Sequence, residues 1–329
     1  MTGGNKADVC AGGAVKDSAC WRRIRGITVN DEATAAGRQQ PDEETAVWSI
    51  GIYAGETLLN LAPAPGARNP VISAADIFDM PAEFVADPFM VRDGAEWRMF
   101  FEVMNAETQK GAIGLAVSQD GLSWSYRGIV LKEKLHLSYP CVFSLDGEFY
   151  MIPETFEAEA IRLYKGDPFP EKWSLAGVIM EGRWVDSSAV YFEGRWWMFS
   201  CPWKSDDDAL ELFYADAITG PWRAHPMNPI IQDDNQIARP GGRVIVTGGK
   251  VVRFTQACYP DYGMMVRAFE ASELTTTTYV ERELDRSLIL SGSGEGWNAG
   301  GMHHIDPHRI DGGWFACVDG WRAEKRSPR

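Results

Sequence analysis

The sequence predicts an all-β protein, and more specifically a five-bladed β-propeller whose ring is closed by N-terminal strands that complete the last blade. Three observations predict this fold. The chain of 329 residues holds 13 Trp and 33 Gly with few long helical periods, which is typical of β structure with many tight turns. One hairpin unit recurs five times, and a Trp recurs between its copies. A β-sandwich with chance internal similarity is the alternative.

Residues 1–45 are rich in Gly, Ala, Asp, Glu and Gln and show no sustained apolar period, so we expect a weakly ordered N-terminal tail. This segment lacks the continuous apolar core of a signal peptide, and no stretch of the chain is long enough to span a membrane. The six cysteines form no CxxC pair, which fits a reduced compartment. We expect residues 46–329 to form a single propeller domain in a cytoplasmic protein.

The recurring unit is a short strand, a turn that contains Gly, and a second strand rich in aromatic or β-branched residues, which is a hairpin signal. Its copies are ADPFMVRDGAEWRMFFE from residue 86, SYPCVFSLDGEFYMIPE from 138, DSSAVYFEGRWWMFSC from 186, ARPGGRVIVTGGKVVRFTQ from 238 and IDPHRIDGGWFACVD from 305. They align on Pro88, Pro140, Ser188, Pro240 and Pro307.

Between the hairpins a second signal recurs. Trp124, Trp173 and Trp222 follow one another at intervals of 49 residues. Each unit therefore holds about four strands, which is the content of a propeller blade.

The last copy is too short for a whole blade, because eight residues follow Trp321. The segments VWSIGIYAG (47–55) and ARNPVI (67–72) can supply the two missing outer strands. In support, residues 69–72 read NPVI and residues 228–231, at the end of the third blade, read NPII. Closing the ring in this way removes an exposed sheet edge.

Polar residues fall at one repeating position of the blades. The first strand of each blade lines the central channel, and antiparallel pairing places its start beside the end of the second strand. The residues that precede the aligned Pro or Ser are Asp87, Tyr139, Ser187, Arg239 and Asp306; those at the end of the second strand are Glu102, Glu154, Cys201, Gln256 and Asp319. We expect these side chains to converge at one mouth of the channel.

Carboxyl groups that face each other across a channel are what cleavage of a glycosidic bond requires, because one must be protonated and the other ionised. Asp87, Glu154, Glu102 and Asp186 are the catalytic candidates, and the repeat favours Glu154 or Glu102 as the acid. Crowding raises the pKa of some acids, and Arg239 is placed to hold another ionised. The alternative is that these residues only hydrogen-bond strand ends around a wet channel.

The stretch GMHHIDPHRIDGGW (301–314) holds three of the five histidines. If Asp306 faces the channel, strand alternation sends His304 and His308 to the same side and His303 to the other. Ligands spread over about 13 Å of one strand cannot all reach one ion. We therefore predict no metal and no cofactor, and a structural cation near His304 and Asp306 is the less favoured reading.

The remaining candidates are assigned to substrate binding. Tyr139, Arg239, His303, His304 and Asp306 are predicted to orient sugar hydroxyls or an anionic group of the substrate, and Trp297 to stack on a sugar face. The net charge of −14 argues against nucleic acid. There is no Gly-rich phosphate loop with a Lys and no GxSxG motif. The predicted partner is a carbohydrate or glycoconjugate.

The repeat, with ADP at the start of blade one and SQDGLSW after it, resembles the superfamily of glycoside hydrolase family 43, whose members are five-bladed propellers. The run from FVADPFMV through LSYPCVF, IARPGG and GMHHIDPHR resembles the N-terminal propeller domain of plant glucosamine inositolphosphorylceramide transferases and its bacterial relatives, across roughly residues 46–321.

The hydrolase resemblance implies that Asp87 is the base or nucleophile. It places a pKa-modulating Asp in blade two, where Tyr139 stands, and the acid Glu in blade three, where Asp186, Ser187 and Cys201 stand. We therefore expect a glycan-processing protein, most simply a glycoside hydrolase-like enzyme that acts on a sugar at the central mouth through paired carboxylates. A non-catalytic glycan-binding propeller is the alternative.

Overall fold

Short strands with buried aromatic and β-branched side chains build five antiparallel sheets of four strands each in the computed structural model, which describes residues 44–203, 205 and 207–325. The sheets form a five-bladed β-propeller, so the predicted fold class is confirmed. The predicted tail lies outside the described residues, except for Glu44 and Thr45, which begin the first strand.

The first four blades follow the chain. Blade one comprises β3 (Ala82–Asp93), β4 (Glu96–Asn105), β5 (Gly111–Ser118) and β6 (Ser125–Leu131). Blade two comprises β7 (Ser138–Leu145), β8 (Glu148–Glu154), β9 (Ala160–Gly166) and β10 (Trp173–Glu181). Blade three comprises β11 (Trp184–Phe192), β12 (Arg195–Pro202), β13 (Glu211–Ala215) and β14 (Arg223–Ala224). Blade four comprises β15 (Ile245–Thr247), β16 (Lys250–Gln256), β17 (Met265–Leu274) and β18 (Tyr279–Ser291).

Blade five joins the two ends of the chain, as predicted. Its strands are β19 (Ile305–Ile310), β20 (Gly313–Lys325), β1 (Glu44–Gly55) and β2 (Ala62–Pro63), in that order across the sheet. β1 pairs with β20 without a register break, from Glu44 opposite Lys325 to Gly55 opposite Trp314. The ring therefore closes through backbone hydrogen bonds between strands far apart in sequence.

The repeated Asn-Pro segments make the same pair of hydrogen bonds in blades five and three. The side chain of Asn69 accepts a hydrogen bond from the amide of Ile52 at 2.8 Å and donates to its carbonyl at 3.0 Å. Asn228 makes the same two bonds to Leu212, both at 2.8 Å. Each asparagine side chain thus pairs with the backbone N–H and C=O of one residue of the third strand, where the short outer strand has ended.

The helical content is small. Three 3-10 turns connect strands, at Ala74–Asp76, Phe156–Ala158 and Gly296–Asn298. Among the residues that the structure describes, no helix has the length and apolar character needed to cross a bilayer.

The inner strands of blades one to three each contain a bulge at the same place. The bulged residues are Asp87, Tyr139 and Asp186, with φ of +53°, +44° and +50°. At each bulge the pairing with the second strand shifts register. The equivalent of Asp87 in blade three is therefore Asp186, and the alignment that put Ser187 there is wrong by one residue.

The apolar core lies between neighbouring blades. The largest buried cluster joins blades one, two and three and includes Phe100, Met151 and Trp173. Four cysteines, Cys141, Cys201, Cys258 and Cys317, are buried as free thiols within this framework. The blades are thereby fixed against one another, and their inner strands present the bulged residues to the channel.

Candidate active site

A pocket opens where the bulged ends of the inner strands meet. Its polar lining consists of Asp87, Glu102, His136, Ser138, Glu154, Asp186, Arg239 and His303. Each of these side chains belongs to a buried residue. The cavity has a volume of about 30 Å³, which is room for one or two water molecules. The structure therefore brings together all four predicted catalytic carboxyl groups, with Arg239 and His303 beside them.

The bulges fix these carboxyl groups across blade boundaries. Asp319 Oδ2 accepts a hydrogen bond from the amide of Asp87 at 3.0 Å. Asp87 Oδ2 accepts from the amide of Tyr139 at 3.3 Å, and Glu154 Oε2 accepts from the amide of Asp186 at 3.3 Å. Each bulged amide is thus bound by an acid of the preceding blade. These acids have a structural role in the ring, whatever chemistry they perform.

Asp186 is the carboxylate with a cationic partner. Arg239 Nε donates to its Oδ2 at 2.6 Å, and Gln256 Nε2 donates to the same atom at 2.9 Å. The guanidinium also pairs with Asp207 through Nη1 at 2.8 Å and lies 5.2 Å from the centre of the Tyr262 ring. Such charge-assisted hydrogen bonds are short and fix the geometry of the carboxyl group. Asp186 is therefore the pocket carboxyl group that an arginine holds in place.

The carboxyl groups of Glu102 and Glu154 both have raised pKa values. Burial raises the pKa of both well above the ordinary value, and the charges of neighbouring carboxylates, Asp87 for Glu102 and Asp186 for Glu154, raise it further. The Oε1 atom of Glu102 has no hydrogen-bond partner. Both glutamates therefore favour the protonated form more strongly than a glutamate in water does.

His136 faces Glu102 in a fixed tautomer. The amide of Gly111 donates to His136 Nδ1 at 2.9 Å, so the neutral ring carries its proton on Nε2. That nitrogen lies 3.5 Å from Glu102 Oε1. Burial lowers the pKa of His136 to about 3. The imidazole is therefore neutral, and its Nε2–H lies near Glu102 Oε1 without forming a hydrogen bond to it.

Asp87 lies beside an aspartate–histidine pair. Burial raises its pKa to about 7; the nearby His303 opposes this shift, and the charges of Asp186 and Asp319 add to it. His303 Nε2 is 3.6 Å from Asp87 Oδ1, and its Nδ1 is hydrogen-bonded to Asp319 Oδ1 at 2.7 Å. Although burial opposes protonation of His303, Asp319 raises its pKa above the ordinary value.

His303 lines the pocket, although strand alternation predicted that it would point away from Asp306 and the channel. The prediction was wrong because β19 begins at Ile305, so alternation does not extend to residue 303. Asp87, His303 and Asp319 each offer a ligand atom, and these atoms lie within 4.8 Å of one another. This is the group of described residues that could hold a cation, and it differs from the predicted pair His304 and Asp306.

Two predicted binding residues do not line the pocket. The hydroxyl of Tyr139 is bound by Ser188 Oγ at 2.7 Å and by the carbonyl and amide of Gly242, each at 2.8 Å. Asp306 is fully buried and forms an ion pair with Arg243. Although burial alone would raise the pKa of Asp306, Arg243 holds it well below the ordinary value. Both side chains are fully buried and lie outside the pocket lining.

The other two predicted binding residues are also outside the pocket lining. His304 packs its ring edge-on against Phe89, with 4.6 Å between ring centres, and neither ring nitrogen has a hydrogen-bond partner. Burial lowers its pKa to about 4, so the ring is neutral. The indole of Trp297 lies over Gly51 and Gly320 of blade five.

Several lining residues were not predicted. They include His136, Ser138 and the aromatic residues Trp48, Phe84, Trp203 and Tyr262. All of them lie outside the ten repeat positions used to find the site. Trp48 lies on the closing strand β1, and Phe84 and Ser138 lie on inner strands before the bulge. The signal available for His136 was its place two residues before the inner strand of blade two.

Residues 39–321 match the family model described as glucosamine inositolphosphorylceramide transferase 1, N-terminal. A glucosamine inositolphosphorylceramide transferase 1 of Oryza sativa subsp. japonica is 36% identical over 304 residues, which cover 86% of this chain and 41% of the relative. The corresponding relative in Arabidopsis thaliana is 34% identical over 319 residues, 90% of this chain and again 41% of the relative. The chain thus spans about two fifths of the length of these curated relatives.

Among solved structures, the β-1,2-mannobiose phosphorylase of Listeria innocua superposes with a TM-score of 0.57 at 11% identity, over 81% of this chain and 96% of the other. A likeness at this identity is a likeness of fold.

Proposed function

Because the chain belongs to the family of the N-terminal domain of glucosamine inositolphosphorylceramide transferase 1, we propose that it is a glycan-processing protein. Its active site is the carboxylate pocket, and its chemistry is glycoside hydrolase-like. The names of its relatives and of its structural neighbour all refer to proteins that act on sugars. The substrate proposed here is accordingly a carbohydrate or glycoconjugate.

One observation carries the proposal: the carboxyl groups of Asp87, Glu102, Glu154 and Asp186 lie together in one pocket, and burial raises the pKa of the first three. Glycosidic cleavage needs a protonated acid at the leaving oxygen and an ionised carboxylate that attacks or activates water. Burial raises the pKa of Glu102 and Glu154, which favours the acid role. Asp87, with a pKa of about 7, is ionised over the upper part of the neutral range and serves as base or nucleophile.

The neighbouring groups have supporting roles in this scheme. His303, held by Asp319, faces Asp87 and stabilises its ionised form. Arg239 pairs with Asp186, and the charge of Asp186 adds to the raised pKa of Glu154. A sugar ring needs several times the present cavity volume. Entry of a sugar therefore requires this pocket to widen.

The test is turnover of a panel of aryl glycosides, furanosides included, and of natural oligosaccharides. Asp87→Asn is expected to abolish turnover of every substrate. Replacing the acid, by Glu102→Gln or Glu154→Gln, is expected to spare aryl glycosides whose leaving group needs no proton and to slow the natural linkages. Unchanged activity in Asp87→Asn would remove this residue from the mechanism.

A specific observation favours a second candidate, a non-catalytic glycan-binding module. Tyr139 occupies the place where the hydrolase resemblance puts a modulating carboxylate, and its hydroxyl is bound within the channel. Cys201 stands in blade three where Glu102 and Glu154 stand in blades one and two. Glycan-induced thermal stabilisation without turnover, and equal in Asp87→Asn, would favour this candidate.

A further inference from the structure

A larger pocket lies beside the first, between blades two and three. Its volume is about 710 Å³, within the usual range for ligand sites. Its walls are Glu159, Glu181, Gly182, Arg183, Pro202 and Trp203. Trp203 also lines the carboxylate pocket, so the two pockets share a wall.

Backbone hydrogen bonds fix the walls of this pocket. The amide of Gly182 donates to the carbonyl of Glu159 at 2.8 Å, and the amide of Trp203 donates to the carbonyl of Arg183 at 3.1 Å. The indole of Trp203 stacks on Phe156, with ring centres 3.9 Å apart and planes 12° apart. Three separate chain segments are therefore held in one arrangement before any ligand arrives.

The polar chemistry of the pocket suits a hydroxyl-rich neutral ligand. Arg183 Nε donates to Glu159 Oε1 at 3.0 Å, and both side chains are substantially exposed, at 44% and 64%. The guanidinium has further donors and the carboxylate further acceptors, so the pair can bind adjacent hydroxyl groups. Because the two charges offset each other and Glu181 adds another negative charge, a polyanion is disfavoured. Trp203 supplies an apolar surface for a ring.

We propose that this pocket, defined by Glu159, Arg183 and Trp203, is a second sugar subsite. It binds the next unit of a glycan whose terminal unit enters the carboxylate pocket. The inference rests on the proposed function. The difference in volume supports it, because a cavity of about 30 Å³ leaves most of any oligosaccharide outside, and the adjoining pocket of about 710 Å³ can receive it.

The experiment is calorimetric titration of the whole protein with glucosamine, mannose, galactose and arabinose, each as the monosaccharide and as oligosaccharides of two to four units. Arg183→Ala is compared with the wild type. The control is Arg195→Ala, which removes a partly exposed arginine, paired with Asp216, from the opposite end of β12. Longer probes are expected to bind the wild type about tenfold more tightly than the monosaccharide, the worth of one charge-assisted hydrogen bond.

Arg183→Ala is expected to bind oligosaccharides no more tightly than the monosaccharide, and its affinity for the monosaccharide should be unchanged. Arg195→Ala should change neither affinity. A gain that persists in Arg183→Ala, or no gain with length in the wild type, overturns the subsite and leaves the proposed function standing. Loss of monosaccharide affinity in Arg183→Ala also overturns it, since the arginine would then act on the first pocket. Binding of no probe at all overturns the subsite and the proposed glycan ligand together.

Discussion

Replacing Asp87 with Asn is expected to stabilise the fold at alkaline pH while it removes activity. The side chain is buried, with 7% of the residue exposed. Its φ of +53° lies in the left-handed region, where Asn is among the best-tolerated residues after Gly. The Asn oxygen can still accept the hydrogen bond from the amide of Tyr139. The substitution therefore removes a buried charge and keeps the geometry.

The magnitude follows from the pKa. Burial raises the pKa of Asp87 from 3.8 to about 7, and each pKa unit is worth about 1.36 kcal/mol. The folded protein holds this proton more tightly than the unfolded chain does. The stabilisation due to the proton is therefore complete below about pH 4, declines as the pH rises to about 7, and is absent above. The Asn variant, which never ionises, should exceed the wild type by up to about 4 kcal/mol near pH 8.

Urea unfolding at several values between about pH 4 and pH 8 measures this difference. The control is Asp306→Asn, which leaves Arg243 buried without its partner and should lose about 3–5 kcal/mol. The reasoning is refuted if Asp87→Asn is no more stable than the wild type near pH 8, or if its advantage does not shrink as the pH falls.

Three further outcomes are expected. Tyr139→Phe leaves the buried amide of Gly242 unpaired and should lower the free energy of unfolding by about 1–3 kcal/mol. An unchanged urea midpoint would contradict a stabilising role for the Tyr139 hydroxyl. An NMR titration should give His303 a pKa above the ordinary value of 6.5 and His304 a pKa of about 4. A lower pKa for His303 than for His304 would contradict the contact between His303 and Asp319. A chain that starts at residue 56 lacks β1 and should show no cooperative thermal transition, and a cooperative one would mean that the ring closes without it.

The fold was predictable because the blades repeat. Each hairpin carries its own strand and turn signals, and the Trp spacing marks the outer part of each blade. Even the missing strands of the last blade were visible, because Asn69 and Asn228 perform the same pairing in two blades. The internal register was wrong in two blades. In blade three the bulge puts Asp186, and not Ser187, at the position of Asp87. In blade five Asp306 pairs with Cys317 as Phe89 pairs with Phe100, so it lies two residues past the position of Asp87.

The candidate site was predictable where it follows the repeat and not elsewhere. Asp87, Glu102 and Glu154 occupy repeat positions, and the structure places them in one pocket. Asp306 was placed with these acids because the alignment on Pro307 was two residues out; it occupies the strand position of Phe89 and is paired with Arg243. His136 reaches the pocket through a connecting segment, whose path depends on the assembled ring.

The closing blade has a consequence for the synthesis of the chain. β1 is made before the four blades that follow it, and its partner β20 is made after them. Until β20 is made, β1 lacks the partner that closes the ring, and the four blades form only an open arc. Pairings between residues so distant are intrinsically slow to form. Between the synthesis of β1 and that of β20 the chain therefore exposes a strand edge, which makes it prone to pair with other chains until the ring closes.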